Sequence, residues 1–211
     1  MINLRKLAVL ALGLMFLPMA AEAGSPIWVQ EHFRWRNDDG SESIATWKAN
    51  ADTAITGVAR GQNIRLRFAV ANTATGFSGS LAARLEYATS TSGPWTPVST
   101  ASDGTFPFEM TTTSGYADQA ATSAQLAGSG TFVAGKCVES PDNTSAGVSY
   151  GFSQYSNFEY CFRATAKAQG SATYYFRVSN AGYVLNAYSQ YAALTMAAGE
   201  ANEPPVIRSA L

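Results

Sequence analysis

The chain has 211 residues, of which 14% are charged and 46% are hydrophobic, and its net charge is −1. Binding to nucleic acid or to an anionic membrane needs a basic surface, so this charge balance argues against both partners. The length suits one domain of generous size or two small ones.

The first 23 residues have the features of a secretory signal peptide. Arg5 and Lys6 precede an apolar run over 7–17 that is short for a membrane span, and Ala-Glu-Ala at 21–23 fits a signal-peptidase site. An uncleaved anchor is the alternative. We expect a mature chain that begins at Gly24, has a net charge of −2 with 12 basic and 14 acidic residues, and does not insert into a membrane.

The mature N-terminus carries a short apolar segment, Ile27, Trp28 and Val29. Such a segment can complete the sheet edge of a neighbouring subunit, and head-to-tail repetition of that contact gives an open filament. The alternative is pairing within its own sheet. Alternation along 28–36 predicts that Val29, Phe33 and Trp35 face inward.

The segment 34–42, RWRNDDGSE, is a dense cluster of charge. Asp39-Gly40 favours a hairpin turn because both residues tolerate positive φ, and 41–47 is predicted to return as a partner strand. Asp38 and Glu42 would then form exposed ion pairs with Arg34 or Arg36 across the turn.

Two chemical functions compete with the turn. Asn37, Asp39 and Glu42 are calcium candidates, because Ca²⁺ takes oxygen ligands from carboxylates and carbonyls. Adjacent acids on a strand point to opposite faces, however, so few of these oxygens are expected to converge. Asp39 and Glu42 are also the candidate acids for a glycosidase, which needs two carboxylates in a cleft. We find no sequence feature that specifies such a cleft, and we predict no other cofactor.

Alternating segments at 63–71 and 80–88 predict two strands. In the first, Arg65 and Arg67 alternate with apolar residues and are expected to face solvent. The connection between the two segments is rich in turn residues, so we predict that they form an antiparallel pair.

The stretch 100–157 is rich in Ser, Thr, Gly and Ala and is interpreted as a loop-rich insertion with short strands. Its best helix candidate, 117–128, is only weakly amphipathic. Cys137 and Cys161 are expected to form one disulfide, worth roughly 3 kcal/mol from closing a loop of about 24 residues; two free buried thiols are the alternative.

Segments 158–165 and 172–179 are predicted as a second antiparallel pair, with Tyr174, Phe176 and Val178 on one face. A final strand is expected at 191–196. The remaining segment, 197–211, contains two prolines and is predicted to be an extended tail.

The strands at 80–88 and 172–179 resemble those of a fibronectin type III or immunoglobulin-like sandwich. Leu85, Tyr87 and Trp95 carry the earlier pattern, and the Phe-Arg-Val strand that ends in Asn180-x-Gly182 carries the later one. Together with 34–42, they are similar to a group of uncharacterised secreted bacterial proteins. The resemblance implies an all-β, immunoglobulin-like or fibronectin type III-like antiparallel sandwich over 24–196, and it implies no activity.

We expect a non-enzymatic structural or adhesive protein at the bacterial cell surface, such as a filament or surface-layer subunit. The chain has one histidine, His32, and no serine in a nucleophile-elbow motif, which disfavours hydrolysis. The expected partners are other copies of the chain. The alternative is a carbohydrate-binding module, since tyrosines such as Tyr116, Tyr150 and Tyr155 can stack on sugars or fill the core.

Overall fold

The computed structural model describes residues 24–199, and all regular elements in that range are β-strands. The predicted signal peptide and residues 200–211 of the predicted tail lie outside the described residues. Among the described residues, no helix offers the length and apolarity of a membrane span. The strands are β1 (Trp28–Arg36), β2 (Ile55–Val58), β3 (Asn63–Asn72), β4 (Gly79–Leu81), β5 (Ala83–Ala88), β6 (Thr96–Pro97), β7 (Phe108–Met110), β8 (Thr131–Phe132), β9 (Cys137–Val138), β10 (Val148–Tyr150), β11 (Gln154–Ala164), β12 (Thr173–Asn180), β13 (Ala187–Tyr188) and β14 (Ala192–Met196).

Two sheets pack face to face. The first has the order β13-β1-β3-β11-β7, with β8 and β9 also paired to β11, and the second has the order β2-β14-β12-β5-β6. A small third sheet pairs β4 with β10. The predicted all-β sandwich is therefore confirmed, whereas its immunoglobulin-like or fibronectin type III-like identity stays a prediction.

Both predicted hairpins are wrong, because each joins strands of different sheets. β3 pairs with β1 and β11 in the first sheet, and β5 pairs with β12 in the second. The connections 73–82 and 165–172 therefore pass from one sheet to the other. Alternation specifies which face of a strand is apolar, but it does not specify the partner strand.

The core lies between the two sheets and is dominated by aromatic rings. Phe176 of the second sheet meets Trp35 and Phe162 of the first at centroid distances of 5.7 and 5.1 Å. Phe108 lies 4.9 Å from Tyr174 and 5.0 Å from Phe176. Such tilted and edge-on contacts add to the stabilisation from burial alone. The predicted shared face of Tyr174, Phe176 and Val178 is confirmed, since all three are buried.

A β-bulge changes the expected faces of β1. The register to β3 shifts between Gln30 and His32, so the residues before the bulge have the opposite facing to that predicted from continuous alternation. Trp28 is buried and Val29 is partly exposed, which corrects the prediction that Val29 faces inward. Phe33 and Trp35, after the bulge, are buried as predicted.

The outer face of the first sheet is covered, contrary to the prediction from alternation. Arg65 and Arg67 are fully buried, so the prediction of a solvent-facing side for β3 is wrong. The cover consists of the 37–47 loop and part of the 100–157 stretch, which donate and accept hydrogen bonds with β3 and β11. The helix candidate at 117–128 is irregular and belongs to this cover.

Candidate functional surfaces

The segment 34–42 ends β1 and begins the loop that covers the first sheet. The loop closes through a single bridge between Arg36 and Trp47 and a hydrogen bond from Lys48 N to Trp35 O of 3.0 Å. The predicted turn is thus present as a longer loop, and the predicted return strand is reduced to that one bridge. Asp39 holds the loop by accepting a hydrogen bond from Thr46 N at 2.8 Å.

Beneath the loop lies a buried arginine–glutamate cluster, consisting of Glu159 and three arginines. Glu159 Oε2 lies 3.0 Å from Arg36 Nη1 and 2.6 Å from Arg67 Nε, and Glu159 Oε1 lies 2.6 Å from Arg65 Nε. The Glu159 side chain is 0% exposed. These side chains meet because strand alternation places them on the same outer face of β1, β3 and β11.

Two acids of the opening segment complete the cluster. Glu42 contacts Arg67 Nη2 at 2.5 Å and accepts a hydrogen bond from Ser123 N at 2.9 Å. Asp38 lies 3.8 Å from Arg65 Nη1. The predicted ion pairs across the turn are therefore wrong in their partners, because both acids reach the neighbouring strand β3. Three acids now face three arginines, so the cluster is neutral overall.

Glu42 and Arg67 stabilise each other's charged forms, whereas burial and the neighbouring arginines lower the pKa of Arg36 despite Glu159. Burial would raise the pKa of Glu42, but hydrogen bonds from Arg67 and Ser123 outweigh burial and lower it. Burial likewise opposes the charge on Arg67, yet Glu159 and Glu42 more than offset burial and raise the pKa of Arg67. The Glu42 carboxylate is therefore held in its ionised form.

The three calcium candidates do not converge. Asn37 Nδ2 donates to Thr46 Oγ1 at 2.8 Å, and Asp39 also binds Thr46, whereas Glu42 is bound by Arg67 and Ser123. Within residues 24–199, His, Cys, Asp and Glu form no group of three or more that could hold a metal ion. Asp39 and Glu42 also turn to different partners, unlike two carboxylates that face each other across a substrate.

Both cysteines are free, so the predicted disulfide is absent from the structure. Cys137 lies opposite Glu159 in the parallel pairing of β9 with β11, and Cys161 lies two residues farther along β11. The two thiols are therefore diagonal neighbours on adjacent strands and are not directly opposite one another. Burial raises the pKa of both thiols well above the usual range, which disfavours the reactive thiolate.

The predicted assembly strand is part of its own sheet. Trp28 and Val29 pair with β3, and Val29 also pairs with Ala187 of β13. Ile27 N donates to Asn72 Oδ1 at 3.0 Å. Both edges of this segment are thus occupied within the chain, which agrees with the alternative of pairing in its own sheet; addition to a neighbour's sheet would require these pairings to break.

A groove separates the 37–49 loop from β2. Its volume is about 530 Å³ and its lining includes Trp47, Lys48 and Gln62. A second cavity of about 270 Å³ continues it and brings in Asp38 and Asp39. Trp47 is held by two guanidiniums of β1, at 4.4 and 4.5 Å from the ring centroid. The groove therefore offers an indole ring beside amide, ammonium and carboxylate groups.

Most of the tyrosines that were candidates for stacking on sugars are buried, and so is Tyr160. Tyr150 and Tyr160 are 2% and 0% exposed, and Tyr155 is buried as well. The hydroxyl of Tyr116 is buried beneath the cover and has no hydrogen-bond partner among the described residues. Tyr183, in the turn that follows β12, is instead 80% exposed.

One end of the sandwich is formed by loop segments without a charged side chain. We call it the uncharged pole and define it by five segments that contain no Asp, Glu, Lys or Arg: 24–27, 73–78, 127–130, 151–153 and 181–186. Strand direction brings them together, since β1 and β11 begin at this end and β3 and β12 finish there. The opposite end, with the 37–54 loop, carries several charges.

The uncharged pole also concentrates exposed apolar side chains. Seven large hydrophobic residues are exposed in the described range, and five of them belong to the pole: Ile27 44%, Phe77 42%, Phe152 58%, Tyr183 80% and Val184 65%. A local scan of the sequence misses this surface, because each loop contributes only one or two such residues. The absence of charge from the loops is visible in the sequence, but their common location requires the topology.

Comparisons with protein-family models, with curated proteins and with solved structures find no match for this chain.

Proposed function

We propose that the chain is a secreted, non-enzymatic structural or adhesive protein, located at the bacterial cell surface, where it works by contact. The observation that carries this proposal is the uncharged pole. Clustered, exposed apolar side chains on a soluble domain are typical of protein interaction sites, and interface centres are depleted in charge. Apolar residues scattered singly over the surface would need no such explanation.

The partners of the acidic groups favour a protein that works by contact over an enzyme. Glu159 is fully buried against three guanidiniums and Glu42 is bound by Arg67 and Ser123, so both carboxylates already have partners within the chain. His32 Nδ1 contacts Asp52 Oδ2 at 2.6 Å, and among the described residues its ring has no hydrogen bond to a serine, threonine or cysteine. A His–Asp pair without a nucleophile lacks one member of a hydrolytic triad.

Recovery of the native protein from cells tests the proposal. We expect most of it in the envelope or in an extracellular complex, and we expect Phe152→Ser to release it into the medium. The control is Ile44→Ser, because Ile44 is 75% exposed but lies in the charged 37–47 loop. Wild-type protein that is recovered only as a free monomer in the medium, without attachment to cells or surfaces, would contradict the proposal.

A carbohydrate-binding module is the second candidate, and the groove beside Trp47 favours it. The part of the Trp47 indole that lines the groove and is not covered by Arg34 and Arg36 offers apolar contact to a sugar, while Lys48, Gln62 and Asp39 offer hydrogen-bonding groups to its hydroxyls. The test is a glycan array, followed by titration of each bound glycan. We expect Trp47→Ala to weaken binding at least tenfold and Phe152→Ser to leave it unchanged. An array without bound glycans would remove this candidate.

A further inference from the structure

We infer that the segment 200–211 of this chain adds to the free edge of β2 as a further strand and fills the groove beside Trp47. The inference goes beyond the proposed function, because it concerns the charged end of the molecule and leaves the uncharged pole free. It rests on the open edge of β2, on the groove, on the point where the chain leaves the described residues, and on the sequence that follows.

β2 is an edge strand that is open to solvent. It pairs in parallel with β14, and no strand among residues 24–199 pairs with its other side. Thr56 and Gly57 are exposed, and the stretch 54–59 contains no charged residue and no proline. A register shift against β14 interrupts the edge without covering it. Sheet edges normally carry charge or proline, or are covered, because their unpaired N–H and C=O groups recruit other strands.

The groove runs along this open edge. Its lining includes five consecutive residues of β2 and its start, 54–58, and the facing residues 47–49. An extended peptide in such a position gains main-chain hydrogen bonds from the strand edge and side-chain contacts from the facing wall. The volume of about 530 Å³ lies within the range of roughly 300–1,000 Å³ that is usual for ligand sites. The site therefore suits one added strand.

The chain leaves the described residues at one end of the groove. Ala197 N donates a hydrogen bond to Val58 O at 2.9 Å, and a Cβ added to Gly199 would lie 3.9 Å from Arg60 Nη2. Val58 and Gln62, on either side of Arg60 in the sequence, both line the groove. Since β14 and β2 are parallel, a segment that passes the end of β2 and turns back runs antiparallel along its free edge.

The segment that follows has a suitable length and composition for this path. Residues 200–205 span up to about 20 Å when extended, which is enough to pass one strand, because neighbouring strands lie about 4.8 Å apart. Pro204 and Pro205 have no N–H to donate, so they suit the connection better than the paired strand. Val206 and Ile207 come next and are β-branched, which favours a strand.

Charge also favours this occupant. The cavity that continues the groove is lined by Asp38 and Asp39 and by a single cation, Lys48. Arg208 is the one cation of the added segment. Gln62 lines both the groove and this cavity, so a segment that enters beside it brings Arg208 close to the two carboxylates. Such a pairing contributes to the position of the strand more than to its affinity.

The segment is expected to bind its own chain. Its attachment at Gly199, next to the groove, gives it an effective concentration in the millimolar range, as for other short tethers. A contact too weak to join two separate molecules is therefore sufficient within one. The added strand would close the open edge of the second sheet, and it would exclude a sugar or a strand of another copy from the groove beside Trp47.

Hydrogen exchange of the purified protein, measured by NMR, tests the inference. We expect protection of 206–210 and of those amides in 54–58 that point away from β14. Ile207→Pro removes one strand N–H and should speed exchange in both segments by about tenfold or more. The matched control is Ala201→Pro, which places the same residue in the connection and should leave exchange in 54–58 unchanged. Rapid exchange of 206–210 in the wild type, or equal effects of the two variants, would overturn the inference.

Disulfide trapping identifies the chain that supplies the strand. Thr56→Cys combined with Ser209→Cys should form a disulfide within one chain under mild oxidation, because Thr56 is exposed on the open edge and both native thiols are buried. The control combines Ser209→Cys with Ser78→Cys, since Ser78 is exposed at the uncharged pole. A first pair that stays reduced or links two chains contradicts the inference, as does an equal yield in the control pair. Both readouts use the isolated protein, so their outcome is separate from that of the cell-attachment test of the proposed function.

Discussion

Glu159 has three guanidinium partners and no contact with solvent. A buried acid of this kind is tolerated only because its charge is fully paired, and the buried arginines around it are tolerated for the same reason. Arg36, Arg65 and Arg67 would repel one another without that carboxylate. The cluster is therefore cooperative, and removal of its centre leaves several buried charges uncompensated.

We accordingly expect Glu159→Gln to lower the free energy of unfolding by about 3–5 kcal/mol, the usual cost of breaking a buried ion pair. Urea denaturation with linear extrapolation measures this difference. The control is Asp103→Asn, which removes one negative charge from an exposed turn and should change stability by less than about 0.5 kcal/mol. Equal losses in the two variants would contradict the structural role of Glu159.

Glu42 makes the stability dependent on acid pH. Its pKa is lowered in the fold, so its stabilising effect is complete above the unfolded-state pKa of about 4.3 and is lost as the pH falls through the lower folded-state value. Glu42→Gln should therefore be less stable than the wild type at pH 7, and the difference should shrink below about pH 4. Chemical denaturation between pH 7 and 3 checks this, and a pH-independent difference would count against the ion pair.

The two cysteines lead to a prediction about thiol chemistry. Cys137 and Cys161 are both 0% exposed, and burial raises the pKa of each. Neither should react with a disulfide reagent such as DTNB in the native state, and both should react after unfolding in guanidinium chloride. The mass of the chain and the number of thiols that react with DTNB, before and after unfolding, measure the outcome. A native protein that yields no thiols after unfolding would show that the disulfide forms after all.

At the scale of elements, the cover is held on β11 by close backbone approach. Gly135 lies so near β11 that an added Cβ would be 1.9 Å from Asn157 O. Thr122 bridges the same region: its hydroxyl donates to Asn157 O at 2.7 Å and accepts from Gly135 N at 3.0 Å. Only a residue without a side chain fits between the cover and the strand.

Gly135→Ala should therefore displace the cover and destabilise the protein by about 1–3 kcal/mol, the usual range for overpacking. Limited proteolysis should cut the 111–136 segment faster than in the wild type. Gly76→Ala is the matched control, because an added Cβ there meets nothing within 4 Å. If both variants resist the protease equally, the close approach is not what holds the cover.

At the scale of the whole molecule, each chain completes its own first sheet. β1 is paired on both sides, by β3 and β13, and its Gln30 side chain crosses to the second sheet and accepts a hydrogen bond from Val178 N at 2.8 Å. Strand exchange between copies would require all these bonds to break. Assembly is consequently expected through surfaces that are already folded.

A synthetic peptide of residues 24–36 should therefore neither bind the folded protein nor raise its melting temperature. Native mass spectrometry and thermal unfolding at a tenfold excess of peptide measure both effects. The control is the same peptide with its residues scrambled. Specific incorporation of the native peptide would restore strand addition as the mode of assembly.

Several features of this protein follow from local patterns in the sequence. Alternation at 63–71 and 172–179, together with scarce helical periodicity, predicts the all-β class and most of the core-facing residues. The overall charge balance predicts that the protein has no basic binding surface. These properties depend on neighbouring residues and on average content, so one sequence suffices to predict them.

Other features depend on contacts between segments that are far apart in the chain. Period-2 alternation has the same appearance for an exposed face and for a face buried under a cover, so the burial of Arg65 and Arg67 depends on Glu159 and on the 37–47 loop. The bulge in β1 turns Trp28 inward and Val29 outward, and no local sequence pattern indicates the bulge. The uncharged pole exists because strand direction gathers five separate loops at one end. The sequence by itself thus determined the strands and their apolar faces. The tertiary structure decided which strands pair, which face is covered and where the loops of the uncharged pole meet, because each of these depends on contacts between residues far apart in the chain.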